Sequence, residues 1–312
     1  MKKIAVLFVF LLSLFLLLPL TALTKAPTVS QANAVTPGAI KKNDNIKVLL
    51  SETNDIVTLS AQDYIFGVIA GEMPALYETE ALKAQAVCAY TFLMWRKSGN
   101  SDKDYDITDN YKVDQCYIPK EKALENWGSK AREYEKKISD AVKSVKGELL
   151  TYDGKIILSV YHAVSGGTTE SAKNVWGKDY PYLQPVSSIG DKLATNYIST
   201  YKADKQKIEN AFAVTLPDNP KDAFTDIKRT NSGTVKTVKI GDKSFKGSEV
   251  REKLGLKSAN FEIEIKDGEF LFTVYGYGHG VGLSQNGANY MAQQGSDYKE
   301  ILCHYYKGCK IE

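Results

Sequence analysis

The sequence predicts an α+β fold, mixed helices and antiparallel hairpins forming two lobes around a substrate cleft. Three observations carry this expectation. Helical and hairpin patterns come in segregated runs rather than in strict alternation. Asp153-Gly154 and Asp267-Gly268 each join two runs rich in β-branched and aromatic residues. Cap signals stand directly before stretches whose apolar residues keep helical spacing.

Residues 46–50 and 56–59 read as strands around a polar turn. Ser60-Ala61-Gln62-Asp63 has the form of a capping box ahead of the Tyr64, Ile65, Val68, Ile69 stripe, so a helix runs to Met73 and stops at Pro74, which leaves Glu72 at its end. Thr79 caps a second helix, in which Ala81, Leu82, Ala84, Val87, Cys88, Thr91 and Phe92 recur at helical spacing through Lys97. Residues 98–114 are polar and loop-like, and residues 123–145, dense in helix formers and charge pairs, read as a third helix. Residues 148–152 and 155–165 form a hairpin across Asp153-Gly154. Residues 201–214 read as helical, 235–240, 261–265 and 269–275 as strands, and 248–254 as a short helix. After a glycine-rich loop, residues 284–294 and 297–306 read as two short helices.

The N-terminus sets the compartment. Met1-Lys2-Lys3 precedes an uncharged run over residues 4–23, which as a helix would reach about 30 Å, the thickness of a bilayer core. The expected organisation is a membrane anchor over 1–23, a tether rich in Ala, Thr, Pro, Asn and Lys over 24–45, and one folded domain over 46–312 outside the cytoplasm. A cleaved signal peptide is the alternative for the first segment.

Of the 312 residues 43% are hydrophobic and 25% charged, which excludes a disordered chain and a polytopic membrane protein. Lys and Arg number 40 against 37 Asp and Glu, without a basic stripe, so nucleic acid is not an expected partner. The three histidines and four cysteines have no metal-ligand spacing, so no metal and no cofactor is expected. Outside the cytoplasm Cys303 and Cys309 are near enough in sequence to pair; equally, all four cysteines can be unpaired small apolar residues, and Cys88 sits in a core pattern.

Three clusters are candidates for chemistry. The first is Gly67-Val-Ile-Ala-Gly-Glu72-Met-Pro-Ala75, followed by Glu80-Ala-Leu-Lys83-Ala-Gln85. Small and apolar neighbours around Glu72 would raise its carboxyl pKa and keep it protonated as a general acid; the plainer reading is a solvated helix-end carboxylate. The second is Tyr275-Gly-Tyr-Gly-His279-Gly-Val-Gly-Leu-Ser284-Gln285. No Gly-Lys-Ser/Thr follows, so this is a poor nucleotide loop. A ligand-facing loop whose His279 and Gln285 meet a polar substrate fits better, with a packed histidine as the plainer alternative. The third is Tyr161-His162-Ala-Val-Ser165-Gly-Gly-Thr-Thr-Glu170, with Trp176-Gly177 after it. It lacks the Gly-x-Ser-x-Gly elbow of a serine hydrolase and suits carbohydrate contact.

Taken together in order and spacing, these blocks resemble the stage II sporulation protein D family over roughly residues 47–310. The resemblance implies a lytic transglycosylase that cuts peptide-stripped peptidoglycan glycan strands between N-acetylmuramic acid and N-acetylglucosamine during engulfment in endospore formation. It implies Glu72 as catalytic acid and base and Lys83, Gln85, His279 and Gln285 as substrate-binding residues, to which the carbohydrate reading of the third cluster adds His162 and Ser165; no metal is expected. It further implies a single-pass protein of the mother-cell membrane facing the intermembrane space, with a peptidoglycan amidase and other membrane proteins of the engulfment machinery as partners. One departure stands out: Tyr90 and Phe92 replace the family's Arg and Tyr. The alternative within the resemblance is a wall-binding amidase enhancer that does not cut glycan.

Overall fold

The computed structural model describes residues 45–312. The expected anchor and nearly all of the tether lie outside the described residues, and among those described no helix is long and apolar enough to cross a membrane. Strands β1 (Asn45–Leu49) and β2 (Ile56–Ser60) pair antiparallel, and Ser60 ends the hairpin by capping helix α1 (Ala61–Glu72). The Ser60 hydroxyl accepts the Asp63 N–H at 3.1 Å and donates to the Asp63 carboxylate at 2.6 Å. α1 stops where Met73 turns extended ahead of Pro74.

Helix α2 (Thr79–Gly99) is the axle of the larger lobe. Twelve of its residues are buried, on more than one face, because alanines at 81, 84, 86 and 89 let several elements approach closely. Burying Leu82, Val87 and Leu93 contributes about 1.5–3 kcal/mol each. Several of its interior groups are engaged with neighbouring segments: the Thr91 hydroxyl accepts the Leu150 N–H, the Ser159 hydroxyl donates to the Cys88 carbonyl, and the Cys88 thiol meets the Tyr306 hydroxyl.

The long loop after α2 contains a strand that periodicity does not reveal, the two-residue β3 (Ile107–Thr108), parallel to β1. The single helix expected over 123–145 is two, α3 (Lys120–Trp127) and α4 (Ala131–Ser144), because Gly128 adopts φ +52° and turns the chain. The expected hairpin is short: β4 (Leu150–Tyr152) pairs with β5 (Lys155–Ile156), after which the chain leaves it and β6 (Tyr161–His162) pairs elsewhere, parallel with β13 (Leu283–Ser284). The β6 to β13 pairing ties the second candidate cluster to the third. A short helix, α5 (Ala172–Trp176), follows, capped by Ser171.

The smaller lobe has its own core of residues such as Ile208, Phe212, Val238, Val250, Phe261 and Phe272. It holds two three-stranded sheets. One is built from β7 (Ile198–Ala203), β12 (Glu269–Tyr275) and β11 (Phe261–Lys266), the other from β8 (Phe224–Arg229), β9 (Val235–Ile240) and β10 (Lys243–Lys246). Helices α6 (Lys205–Phe212) and α7 (Gly247–Leu254) complete it. The helix expected over 201–214 is therefore strand β7 followed by α6, with Asp204 as the cap between them. The chain then returns to the larger lobe through α8 (Gln285–Gln293), α9 (Tyr298–Tyr305) and β14 (Lys310–Ile311), whose partner is β4.

The four cysteines are free thiols: Cys88 and Cys309 are buried, Cys116 is half-buried and Cys303 exposed. The parallel pairing of β6 with β13 depends on Gly282, which has φ +74° and whose added Cβ would collide with the Val160 carbonyl. Gly282→Ala is expected to lower stability by about 2 kcal/mol or more, read as a shift of the urea unfolding midpoint.

Candidate active site

Glu72 ends α1 and is covered by a strap of chain, residues 115–118. The strap lies flat on α1 because two glycines one turn apart leave that face bare. An added Cβ at Gly67 would run into the Tyr117 ring, and one at Gly71 would sit 3.0 Å from the Cys116 sulfur. The Ile118 N–H reaches the Gly67 carbonyl at 3.3 Å, and the Tyr117 ring stacks on Tyr64 with centroids 5.5 Å apart. This contact aims the Cys116 backbone N–H at Glu72 Oε1, at 3.0 Å.

Beneath the carboxyl lies a buried polar floor. The Tyr64 hydroxyl donates to Gln115 Oε1 at 3.2 Å, and Gln115 Nε2 donates to the Tyr161 hydroxyl at 3.0 Å and to the Ala89 carbonyl at 3.4 Å. Gln115 thereby pins the strap to α1, α2 and β6 at once. Upstream, Asp114 pairs with Arg96 of α2 and accepts the Thr108 N–H at 3.0 Å. Burial raises the Glu72 pKa, and the Cys116 N–H and the Gln285 amide oppose that shift. The Gln285 nitrogen faces the carboxyl without closing a well-formed hydrogen bond. Burial, with the nearby Glu72 charge next or contributing, holds the Tyr64 and Tyr161 phenols well above their ordinary range, so both are un-ionised donors and acceptors.

Gln285 opens α8 behind the cap residue Ser284, and Ser284 is mounted on one buried carboxylate. Asp191, in a single 3₁₀ turn over Ile189–Leu193, is fully buried. Its Oδ1 accepts the Ser284 hydroxyl at 2.7 Å, and its Oδ2 accepts the Ser165 N–H at 2.8 Å and the Ser165 hydroxyl at 2.5 Å. The Asn286 amide adds a contact to the Gly190 carbonyl at 3.1 Å. Charge-assisted hydrogen bonds of this kind are about twice as strong as neutral ones, so the start of α8 is fixed relative to the Ser165 turn.

Residues 50–152, which include α1, α2, Glu72 and the strap, match the family described as Stage II sporulation protein. The chain is 36% identical over 290 residues to stage II sporulation protein D of Bacillus amyloliquefaciens, covering 92% of this chain and 84% of that one. This chain belongs to the stage II sporulation protein D family. The protein of that name from Bacillus subtilis (strain 168) is 35% identical over 270 residues, 86% of this chain and 78% of that one. An amidase enhancer of the same strain is 28% identical over 298 residues, 78% of this chain but 40% of that one.

In this member of the stage II sporulation protein D family, the residues expected to bind substrate divide sharply. Gln285 reaches Glu72. Lys83 does not: it pairs with Glu80 at 2.7 Å and lies over the Tyr298 ring on the outer side of α2. Gln85 is fully buried, and neither of its amide atoms has a partner among the described residues. His162 and Ser165 are buried, at 4% and 2% exposed, as is Gln285 at 4%. Successive strand residues face opposite ways. Tyr161 accordingly feels the Glu72 charge, whereas His162 feels Asp191 and Arg251. His279 belongs to that second face, packed on Trp176 with ring centroids 5.1 Å apart and 5.7 Å from the ring of His162. Burial holds both imidazoles below their ordinary pKa, so they are neutral. Phe92, in the position where the family's Tyr is replaced, is buried beside Trp95. No group of His, Cys, Asp and Glu among the described residues is arranged to hold a metal ion.

The residues that sequence reasoning missed are Gln115, Cys116 and Asp191. The Gly67 and Gly71 spacing was the available signal for the strap; a lone Asp in a Gly-Asp pair gives no comparable signal for the hub. Two outcomes follow from this geometry. A raised carboxyl pKa stabilises the fold fully below the ordinary value of 4.5, and that contribution is lost as pH rises through the raised folded value. Glu72→Gln should therefore melt with the wild type in acid and above it at neutral and alkaline pH, as read by calorimetry. Asp191→Ala strands buried donors of Ser165 and Ser284 and should lower stability by about 3 kcal/mol, measured by urea unfolding.

Proposed function

We propose that this protein is a peptidoglycan lytic transglycosylase that uses Glu72 alone as acid and then base. The observation that carries the reading is the carboxyl itself: half-buried, raised in pKa, and faced by one fixed backbone N–H and one side-chain amide. Ordinary glycosidases need two carboxylates flanking the bond, and no second carboxylate bears on Glu72 among the described residues.

In the first half of the reaction, protonated Glu72 gives its proton to the glycosidic oxygen as the bond from muramic acid C1 breaks. The resulting carboxylate is received by the Cys116 N–H and the Gln285 amide, which favour the charged form. In the second half it takes the proton from the muramic acid 6-hydroxyl as O6 bonds to C1. The product end is 1,6-anhydro-N-acetylmuramic acid, no water is consumed, and Glu72 is left protonated for the next cycle. The substrate is peptide-stripped glycan of the wall, cleaved on the outer side of the membrane during engulfment. A peptidoglycan amidase that strips stem peptides, and other membrane proteins of the engulfment machinery, are the partners this reading calls for.

The test is digestion of peptide-stripped glycan by the purified full chain, with products read by mass spectrometry. Anhydro ends are expected from the wild type, and a fall of at least about a hundredfold in their rate is expected from Glu72→Gln, the scale of losing a general acid. Anhydro ends at the wild-type rate from that variant would remove Glu72 from the chemistry. Activity seen only with an added amidase, without anhydro ends, would point to the amidase-enhancer role carried by the more distant relative.

A further inference from the structure

A cavity of about 70 Å³ lies between the lobes, and Glu72 is not among its lining residues. It is walled by the Ser165 turn and the glycine loop on one side and by the β8–β9 turn and α7 on the other. That is room for several waters or for one small anion. We propose that this cavity is a second ligand site, which takes a carboxylate or phosphate group on Arg251.

The electrostatics of the lining carry the proposal. Arg251, on α7, faces the cavity, and no hydrogen bond or ion pair holds its guanidinium among the described residues. Glu252 and Tyr277 act on it only through space, while burial pulls the guanidinium below its ordinary value. Arg251 is half-buried, and an arriving anion would pair with a guanidinium that no carboxylate among the described residues holds. The planar guanidinium fork matches carboxylate and phosphate oxygens bidentately. Lys236 and Lys246 line the same cavity from exposed positions and add two positive charges at its mouth.

One carboxylate, Glu170, also lines the cavity, but its oxygens are already committed. Oε1 accepts the Ser171 N–H and the Asn174 amide, each at 2.8 Å, and Oε2 accepts the Thr230 hydroxyl at 2.5 Å. Its charge is thus spent on fixed donors rather than on Arg251. The Asn260 amide, packed over Gly166, supplies a further polar group for a sugar or a phosphate ester.

Two anionic groups of a bacterial wall have this chemistry: the lactyl carboxylate of N-acetylmuramic acid, free once the peptide is gone, and polymer phosphates. The site goes beyond the cleavage reading, because nothing in it depends on Glu72. The full chain in detergent would be titrated calorimetrically with N-acetylmuramic acid, with inorganic phosphate and with N-acetylglucosamine, which lacks the carboxylate, at constant ionic strength. Binding of N-acetylmuramic acid, phosphate or both is expected, with none for N-acetylglucosamine; whichever binds identifies the source. Arg251→Gln should weaken binding about tenfold or more, and the exposed Lys246→Gln, which leaves the fold intact, about threefold. Glu72→Gln should leave it unchanged. Absence of binding by both anions, equal binding of the neutral sugar, or an affinity indifferent to both Arg251→Gln and Lys246→Gln would overturn the site.

Discussion

One backbone hydrogen bond, from the Cys116 N–H to Glu72 Oε1, is the contact around which the larger lobe is arranged. It joins a helix end to a loop far along the chain, so it exists only if both are held independently. The helix end is held by its cap and by the Pro74 stop. The loop is held by stacking on Tyr64, by the three hydrogen bonds of Gln115, and by the ion pair of Asp114 with Arg96. A side-chain donor would have served the carboxyl less rigidly; a backbone donor moves only if the whole strap moves. The pair of glycines on α1 is what lets the strap lie close enough for that N–H to arrive.

The parallel pair of β6 and β13 divides the molecule's polar interior into two chambers. Tyr161 turns toward the Glu72 chamber, and Gln285 enters it from the first turn of α8. His162 turns the other way, toward Asp191, His279 and the space between the lobes. Asp191 serves both chambers, because it anchors the Ser165 turn on one side and the cap of α8 on the other. The two histidine rings pack against each other on the side that His162 faces, and His279 lines the space between the lobes.

Much of this was legible in the residues themselves. The Ser60 cap and Pro74 define α1, and the small residues before Glu72 announce a carboxyl in poor contact with water. Gln285, singled out in the glycine-rich stretch, lies beside Glu72. The rest depends on contacts between segments distant in sequence. β3 has two residues and is a strand only because β1 lies beside it. Residues 198–203 alternate in exposure, but the charged run that follows hides the alternation and reads as one helix with it. His162 and Ser165 have the residue types of a binding site, but their burial, and the bond of Ser165 to Asp191, are set by contacts that no local pattern reports.

The closing elements of the fold carry a consequence for how the chain is made. Tyr305 and Tyr306 are almost wholly buried against the larger core, Cys88 of α2 is bonded to Tyr306, and β14 completes the sheet begun by β4. The axle of the lobe is synthesised early, but residues that seal it come some two hundred positions later. An emerging chain would therefore carry α2 with its apolar faces bare through most of its synthesis, a state that is left only when the last long-range contacts close. The smaller lobe, which is local in sequence and has its own core, is free to fold in that interval.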